Sequence, residues 1–195
     1  MSILAWLESL RARAGARSRE VPADAPAIPR AVAEDESQRV ARAAFDAGLK
    51  AYAAGDYATA IACFNRVLEY RHDDADAHNN LGLSYLGAGR REDAVDAFVM
   101  AIHYRPHFAQ AFYNKALAAL EGGDLKETLA CLERAIELQA DFVMAHSTLG
   151  YVLSHRTGDF ERGAVHIRKA LELSPADPDV LCNYSAVLAQ EGRAL

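Results

Sequence analysis

The sequence predicts an all-α protein, a solenoid of stacked helical hairpins, and two observations support this fold. The first is an internal period of 34 residues, at which a small residue recurs in the same local setting. These small residues are Gly48, Gly82, Ala116 and Gly150. The second is that each copy holds two short runs in which apolar residues recur every three or four positions, as in amphipathic helices. One hairpin cannot bury its own apolar face, so the copies are expected to stack.

The first 36 residues lie outside this repeat. Residues 1–17 predict an amphipathic helix, and residues 18–36 predict a proline-rich linker. The apolar face of the helix consists of Ile3, Trp6, Leu7 and Leu10. Because an isolated helix shorter than about 12 to 15 residues is marginal in water, we expect this helix to dock on the solenoid or on a partner.

The solenoid is predicted over residues 37–195, as four copies and one further helix. The predicted bounds are about 41–74, 75–108, 109–142 and 143–177 for the copies and 178–191 for the final helix. A glycine beside a charged residue separates the two runs of each copy and predicts a turn. These glycines are Gly55, Gly89, Gly123 and Gly158. The fourth copy carries one extra residue near this turn, around His155.

Two further features predict how each hairpin is built. Pro106 and Pro175 lack an amide donor and disfavour helix in the preceding residue, so they are expected to follow the ends of second helices. The small residue of the first helix is expected to face a small residue of the second, such as Gly82 against Ala94. That pairing lets the helix axes approach to the low end of about 8 to 10 Å.

The second copy resembles the tetratricopeptide repeat family. Eight of its residues fall on the signature positions of that family: His78, Leu81, Gly82, Tyr85, Ala94, Phe98, Ala101 and Pro106. The resemblance extends over about residues 37 to 195. It implies a right-handed superhelix whose first helices line a concave groove, and it implies that this groove binds a partner protein or an extended peptide.

The sixth position of each copy points into the groove in this family. The residues there are Asp46, Asn80, Asn114, Thr148 and Asn183. The row resembles the asparagine ladder in the superhelix of O-linked N-acetylglucosamine transferases, which holds an extended peptide by its main chain. An amide side chain both donates and accepts, as a peptide group does. We expect Asn80 and Asn114 to be exposed; the alternative is a row of solvated polar residues without a ligand.

An apolar stripe accompanies this row at the ninth and twelfth positions. Its members are Leu83, Leu117 and Tyr151 at the ninth position and Tyr52, Leu86 and Leu120 at the twelfth. Such a stripe is typical of an interaction surface, although leucines at helical spacing also form helix-to-helix core. The carboxylate clamp that binds chaperone tails in this family needs lysine and asparagine where this chain has Phe45 and Leu49, so that ligand class is not expected.

No residue pattern predicts catalysis, a cofactor or a metal. Nucleotide-binding glycine motifs and a nucleophile elbow are absent from the sequence. His78 and His146 are predicted to be packed, and Pro106 interrupts the helix that would align His103 with His107. His155 is the one histidine placed to touch a groove ligand. The net charge of −6 excludes the basic surface that a nucleic-acid binder needs.

Cysteine use and composition predict a location. The three cysteines, Cys63, Cys131 and Cys182, form no C-x-x-C pair and are expected to be small thiols, mostly buried, in a reducing compartment. No stretch reaches the roughly 18 to 20 apolar residues of a membrane span. We therefore expect a cytoplasmic protein, and the excess of arginine and alanine favours a bacterial source.

Three functions follow from these features, in decreasing order of preference. The chain is expected to be an adaptor that binds a partner through its groove, the substrate-recruiting arm of a larger bacterial glycosyltransferase or sulfotransferase, or a self-assembling scaffold. The final helix bears on the last two, because Leu181, Tyr184 and Leu188 form an apolar arc without a second helix to cover it. The expected cover is a continuation of the chain, a second copy or a partner helix.

Overall fold

A computed structural model describes residues 30–194, with side chains described over residues 36–189. The predicted helix over residues 1–17 lies outside the described residues. Residues 30–194 form nine α-helices and one π-helical segment and contain no strand, which confirms the all-α prediction. The helices are α1 Arg30–Ala53, α2 Tyr57–Tyr70, α3 Ala75–Gly87, α4 Arg91–Tyr104, α5 Ala109–Glu121, α6 Leu125–Leu138, α7 Val143–Val152, α8 Phe160–Leu173 and α9 Pro178–Ala194. The π-helical segment, Leu153–Thr157, follows α7 directly, and no described helix has the length and apolar content needed to cross a membrane.

Two helix ends differ from the prediction. Helix α1 begins at Arg30, inside the segment 18–36 that was predicted to be a linker. No proline or glycine occurs between Pro29 and Gly48, and the strong helix formers alanine, arginine and glutamate fill that stretch. Helix α9 runs to Ala194 and does not stop at residue 191, because a single glycine inside a helix lowers its stability without ending it.

The turns inside the hairpins have one construction. Each of the four turn glycines has a φ between 72° and 78°, the left-handed region that a side chain disfavours. In three turns the next residue is an aspartate whose carboxylate accepts a hydrogen bond from the backbone amide three residues on, at 3.0 to 3.1 Å. These capping residues are Asp56, Asp124 and Asp159. A glycine thus ends the first helix and a carboxylate begins the second.

The two helices of each hairpin meet at one small residue and one large one. A Cβ added to Gly82 would lie 2.5 Å from the Phe98 ring, and one added to Gly48 would lie 2.9 Å from the Phe64 ring. The Phe98 ring thus fills the space that Gly82 leaves. In the third copy the same two positions hold Ala116 and Leu132, which lie in one core cluster. The extra methyl group of Ala116 is therefore matched by a leucine, which is smaller than the phenylalanine of the first and second copies. The predicted approach of the two small positions is seen in the fourth copy, where a Cβ on Gly150 would lie 2.8 Å from the carbonyl oxygen of Gly163.

Hydrogen bonds from two histidines fasten the connections between copies. His78 Nε2 donates to the carbonyl of His72 at 2.9 Å, and His146 Nε2 donates to the carbonyl of Ala140 at 3.1 Å. Both imidazoles are buried, as predicted. Since a carbonyl can only accept, Nδ1 of neutral His146 must be an acceptor, and His166 Nδ1 donates to it at 3.0 Å. The prolines act as predicted: α4 ends two residues before Pro106, and α8 two residues before Pro175.

We predict that Gly82→Ala destabilises the fold by about 1 kcal/mol. Overpacking against Phe98 costs about 1–3 kcal/mol, which exceeds the gain of about 1 kcal/mol in helix propensity. The double variant Gly82→Ala/Phe98→Leu reproduces the third copy and should recover at least about 0.5 kcal/mol beyond additivity. Urea unfolding of the four proteins measures this coupling. Strictly additive effects would show that the two side chains do not compete for one space.

We also predict that stability falls as the pH decreases from about 7.5 to 5.5. Burial lowers the pKa of His78, and burial together with the neighbouring His146 lowers the pKa of His166. The unfolded chain therefore binds protons more readily than the folded one below about pH 6.5. Stability is full above that pH and is lost as these rings are forced to take up protons.

Thermal unfolding across this pH range, in the wild type and in His166→Gln, tests the prediction. The glutamine amide can still donate to His146 Nδ1 but does not titrate, so the variant should show a shallower dependence. The control is His107→Gln, an exposed histidine in a turn, which should leave the dependence unchanged. Identical slopes in the wild type and His166→Gln would contradict the assignment.

Candidate functional site

The first helices of the copies, α1, α3, α5, α7 and α9, present one set of equivalent positions. The second, sixth, ninth and thirteenth residues of a copy lie on the same side of its first helix. On α5 these residues are Gln110, Asn114, Leu117 and Glu121. We call this side of the five helices the first-helix face. The fifth and twelfth positions border it.

Polar contacts join neighbouring first helices, each between a fifth position and the sixth position of the next copy. Asn114 Nδ2 donates to Asn79 Oδ1 at 2.8 Å, between α5 and α3. Asn183 Nδ2 donates to Ser147 Oγ at 2.9 Å, between α9 and α7. The hydroxyls of Tyr113 and Thr148 make a longer contact of 3.4 Å, between α5 and α7. The first-helix face is therefore continuous from α3 to α9.

The residues at the sixth position were expected to face a ligand, but most of them make contacts within the protein. Asn114 is only 2% exposed, so the prediction that it is exposed is wrong: its amide is used between two helices. Thr148 and Asn183 are half-buried and make the contacts described above. Asn80 is also half-buried and donates to its own helix, to the carbonyl of Asp76 at 2.8 Å. Asp46 alone is exposed.

Asn79 and Gln110 both bond to Asn114, and each keeps one amide atom without a hydrogen bond among the described residues. Gln110 Nε2 donates to Asn114 Oδ1 at 3.1 Å, so three amides run head to tail from Gln110 through Asn114 to Asn79. Among the described residues, nothing bonds to Asn79 Nδ2 at one end or to Gln110 Oε1 at the other. Asn79 is only 5% exposed, whereas Gln110 is exposed, so Gln110 Oε1 is the accessible one of these two atoms. Their positions, the fifth and the second, were not predicted, although both border or belong to the same helical face.

The predicted apolar stripe is part core and part surface. All six residues are half-buried and pack against buried clusters between the helices. They are Tyr52, Leu83, Leu86, Leu117, Leu120 and Tyr151. The sequence prediction missed Met144, the second residue of the fourth copy, whose side chain is 46% exposed on the same face. Only its place at the second position of a copy could have indicated that Met144 lies on this face, because the neighbouring copies carry polar residues there.

The extra residue of the fourth copy lies in the π-helical segment Leu153–Thr157. Tyr151 lies just before this segment and His155 within it, and their rings stack with centroids 4.4 Å apart and planes 18° apart. Room for the turn comes from Gly163 on α8, since a Cβ there would collide with Ser154 Oγ. Ser154 Oγ and His155 Nδ1 are buried without a hydrogen-bond partner among the described residues. The fourth copy therefore carries a pair of stacked rings, with Tyr151 at the ninth position where the second and third copies carry Leu83 and Leu117.

Nucleophilic and metal chemistry have little support in residues 30–194. No group of three or more histidine, cysteine or acidic side chains in this range is arranged to hold a metal ion. Cys131 is buried, and burial raises the pKa of its thiol to about 11, which disfavours the reactive thiolate. Cys63 is half-buried, whereas Cys182 is exposed, contrary to the expectation of mostly buried thiols.

Family comparison agrees with the repeat geometry. A model described as TPR repeat matches residues 48–89, and one described as Tetratricopeptide repeat matches residues 79–141. Residues 48–141 therefore carry tetratricopeptide repeats. Among proteins of curated function, no sequence relative matches the chain.

Solved structures with the same fold include three of different kinds. The chain is similar to MamA protein, with 21% identity and a TM-score of 0.67 over 80% of this chain and 84% of that one. It is similar to YrrB, described as a TPR protein with an unusual peptide-binding site, with 20% identity and a TM-score of 0.64 over 83% of each chain. A Thermobaculum terrenum O-GlcNAc transferase mutant, K341M, shares 24% identity and a TM-score of 0.65 over 70% of this chain, which matches 26% of that one. At these identities the likeness extends to the fold alone.

We predict different losses of stability when two asparagines that hold the same position in successive copies are replaced by alanine. Asn114→Ala removes the amide between Asn79 and Gln110 and should cost about 1–3 kcal/mol of stability, because Asn79 Oδ1 loses its donor. Asn80→Ala removes only a bond within one helix and should change stability by less than about 0.5 kcal/mol. Denaturant unfolding of both variants measures the difference. Equal effects would contradict the role of Asn114 as a link between copies.

Proposed function

We propose that this chain is a non-catalytic interaction module that binds an extended segment of a partner protein along its first-helix face. The observation that carries the proposal is a continuous face on which the exposed amide of Gln110 lies beside half-buried apolar side chains. The tetratricopeptide repeats of residues 48–141 support the general role of a protein-interaction module. The similarity to YrrB, which is described as having a peptide-binding site, supports a peptide as the ligand.

The exposed end of the amide chain, Gln110, fits the main chain of a ligand. A peptide group presents one N–H and one C=O, and Gln110 Oε1 offers an acceptor for that N–H. Neighbouring first helices lie about 8–10 Å apart, and an extended ligand advances about 3.3 Å per residue. Each copy therefore serves about three ligand residues. Main-chain recognition of this kind tolerates many ligand sequences.

The half-buried stripe supplies the apolar part of the binding energy in this proposal. Leu83 and Leu117 are packed against the cores of their own hairpins, so they are held in place before a ligand arrives. A ligand that covers their exposed portions buries apolar area without first ordering the side chains. Met144 adds the most exposed apolar side chain of the face. We propose a cytoplasmic location for this module, in keeping with the free thiols.

A second candidate is the recruiting arm of a larger enzyme. The observation that favours it is the similarity to the O-GlcNAc transferase, of which this chain spans only about a quarter. Association through α9 would use a different surface, since Leu181 and Leu188, which are 42% and 45% exposed, lie on the side of α9 opposite the first-helix face. As a recruiting arm, the chain would still hold a protein segment on the first-helix face.

We predict that Met144→Glu weakens peptide binding at least about tenfold, whereas Val165→Glu leaves it unchanged. Both side chains are largely exposed, at 46% and 54%, but Met144 lies on the first-helix face and Val165 on the second helix of the same hairpin. The ligands are random peptides of about twelve residues, long enough for about four copies, selected by display against the full chain. Titration of the selected peptides against the three proteins measures the effect.

Circular dichroism provides the control for folding, and both variants should retain the wild-type spectrum. Selected peptides that bind Met144→Glu as well as wild type, or that are lost with Val165→Glu, would place the binding surface elsewhere. A selection that enriches no peptide would contradict the proposed function itself.

A further inference from the structure

One side of α9 exposes positions that the earlier copies cover. Apart from Asp179, which lies on the first-helix face, the exposed residues of α9 within the described side chains are Pro178, Leu181, Cys182, Ser185, Leu188 and Ala189. They hold the first, fourth, fifth, eighth, eleventh and twelfth positions of their copy. In the second and third copies every residue at these positions is buried or half-buried. The α9 stripe, as we call this set of exposed residues, is therefore a side of a first helix that the fold covers elsewhere.

The α9 stripe is uncharged over about three turns of helix. It contains no aspartate, glutamate, lysine or arginine, and its two leucines, Leu181 and Leu188, are 42% and 45% exposed. Its hydroxyl group, on Ser185, already donates to the carbonyl of Leu181 at 2.8 Å. The exposed side of the neighbouring helix α8, in contrast, carries charges at Glu161, Arg162, Arg168, Lys169 and Glu172. Covering the α9 stripe therefore removes apolar surface from water and breaks no hydrogen bond.

The spacing of the α9 stripe fits a second helix of the same sequence. Intervals of three, four and three residues, the pattern of two helices that pack along a seam, separate Pro178, Leu181, Ser185 and Leu188. Leucines thus alternate with smaller residues along the seam. When two such helices run antiparallel, Leu181 faces Ser185 of the second copy, and Leu188 faces Pro178 of the second copy. A parallel pair would instead place leucine on leucine and serine on serine, so the antiparallel pair fills the space better.

A small residue against a large one, between antiparallel helices, is also how the hairpins of this protein are built. Ser185 holds the eighth position of its copy, as Gly82 does in the second copy. The second helix of that copy brings Phe98 to Gly82. An antiparallel α9 from a second copy would bring Leu181 to Ser185 in the same way. A two-fold axis gives this cover to both copies at once.

We propose that two copies of this chain associate through an antiparallel pair of α9 helices, with the α9 stripe of one against the α9 stripe of the other. The contact lies on the side of α9 opposite the first-helix face, so the inference goes beyond the proposed function and does not depend on it. The seam is about 17 Å long, at about 1.5 Å per residue from Pro178 to Ala189. Two helices of that length form a small interface, so we expect a dissociation constant in the micromolar range.

Sedimentation equilibrium of the full chain, from about 1 to 500 µM, measures the association. The wild type should pass from monomer to dimer within this range. Leu181→Glu should raise the dissociation constant at least about tenfold, because it places an unpaired charge in the seam. The matched control is Leu49→Glu, which makes the same change at a leucine of α1 that is 41% exposed, and it should associate as the wild type does.

A mixture of two variants tests the antiparallel pairing. Ser185→Lys should weaken association on its own, as Leu181→Glu does. In an antiparallel mixed pair the new carboxylate faces the new ammonium group once, and the other contact keeps the native leucine and serine. The equimolar mixture should therefore associate at least about threefold more tightly than either variant alone. In a parallel pair the carboxylate would face a leucine and the ammonium group a serine, and mixing would recover nothing.

Each contrary result overturns the inference. A wild type that stays monomeric over the whole range would leave the α9 stripe to a partner helix or to further chain. Association that persists in Leu181→Glu, or that is lost in Leu49→Glu, would place the contact elsewhere. A mixture that recovers nothing, although both variants keep the wild-type circular dichroism spectrum, would refute the antiparallel pair. Peptide binding is decided separately by Met144→Glu, so either proposal can fail without the other.

Discussion

The contact between a residue without a side chain and a large apolar one is the constraint on which the hairpins depend. At Gly48 and Gly82 the first helix leaves a gap, and an aromatic ring from the second helix occupies it. The pair fixes how closely the two axes approach and which side of the first helix turns inward. Because that side is committed to the hairpin, the opposite side of every first helix is free to form the first-helix face.

Hydrogen bonds between copies add a second constraint, across the repeat. Packing alone is non-directional, whereas the amide contact between Asn114 and Asn79 requires one angle between successive copies. A buried amide without a partner is costly, so the array is held at the angle that satisfies it. Asn114, which belongs to the row that resembles a ligand-binding ladder, thus helps to hold the face in shape.

Much of this fold was predictable from the sequence, because helix periodicity and turn glycines are local signals. The hairpins, the left-handed turns and the packed histidines at residues 78 and 146 follow from spacing. The exposure of Asn114 was not predictable, since it depends on which residue stands 35 positions earlier on another helix. The contact of Gly82 with the Phe98 ring and the parallel rings of Tyr151 and His155 depend on small rotations about a helix axis. Sequence spacing does not resolve such rotations.

The π-helical turn of the fourth copy shows how the array accommodates a change in length. One added residue is taken up at the end of α7, the next helix still begins at an aspartate cap, and Pro175 still follows α8. An insertion at this point leaves the copies on either side in phase while it changes the side chains that one copy presents. Repeat proteins of this type therefore have a route to new binding preferences that no single substitution provides: lengthening one copy changes the lining of the face locally and leaves the scaffold intact.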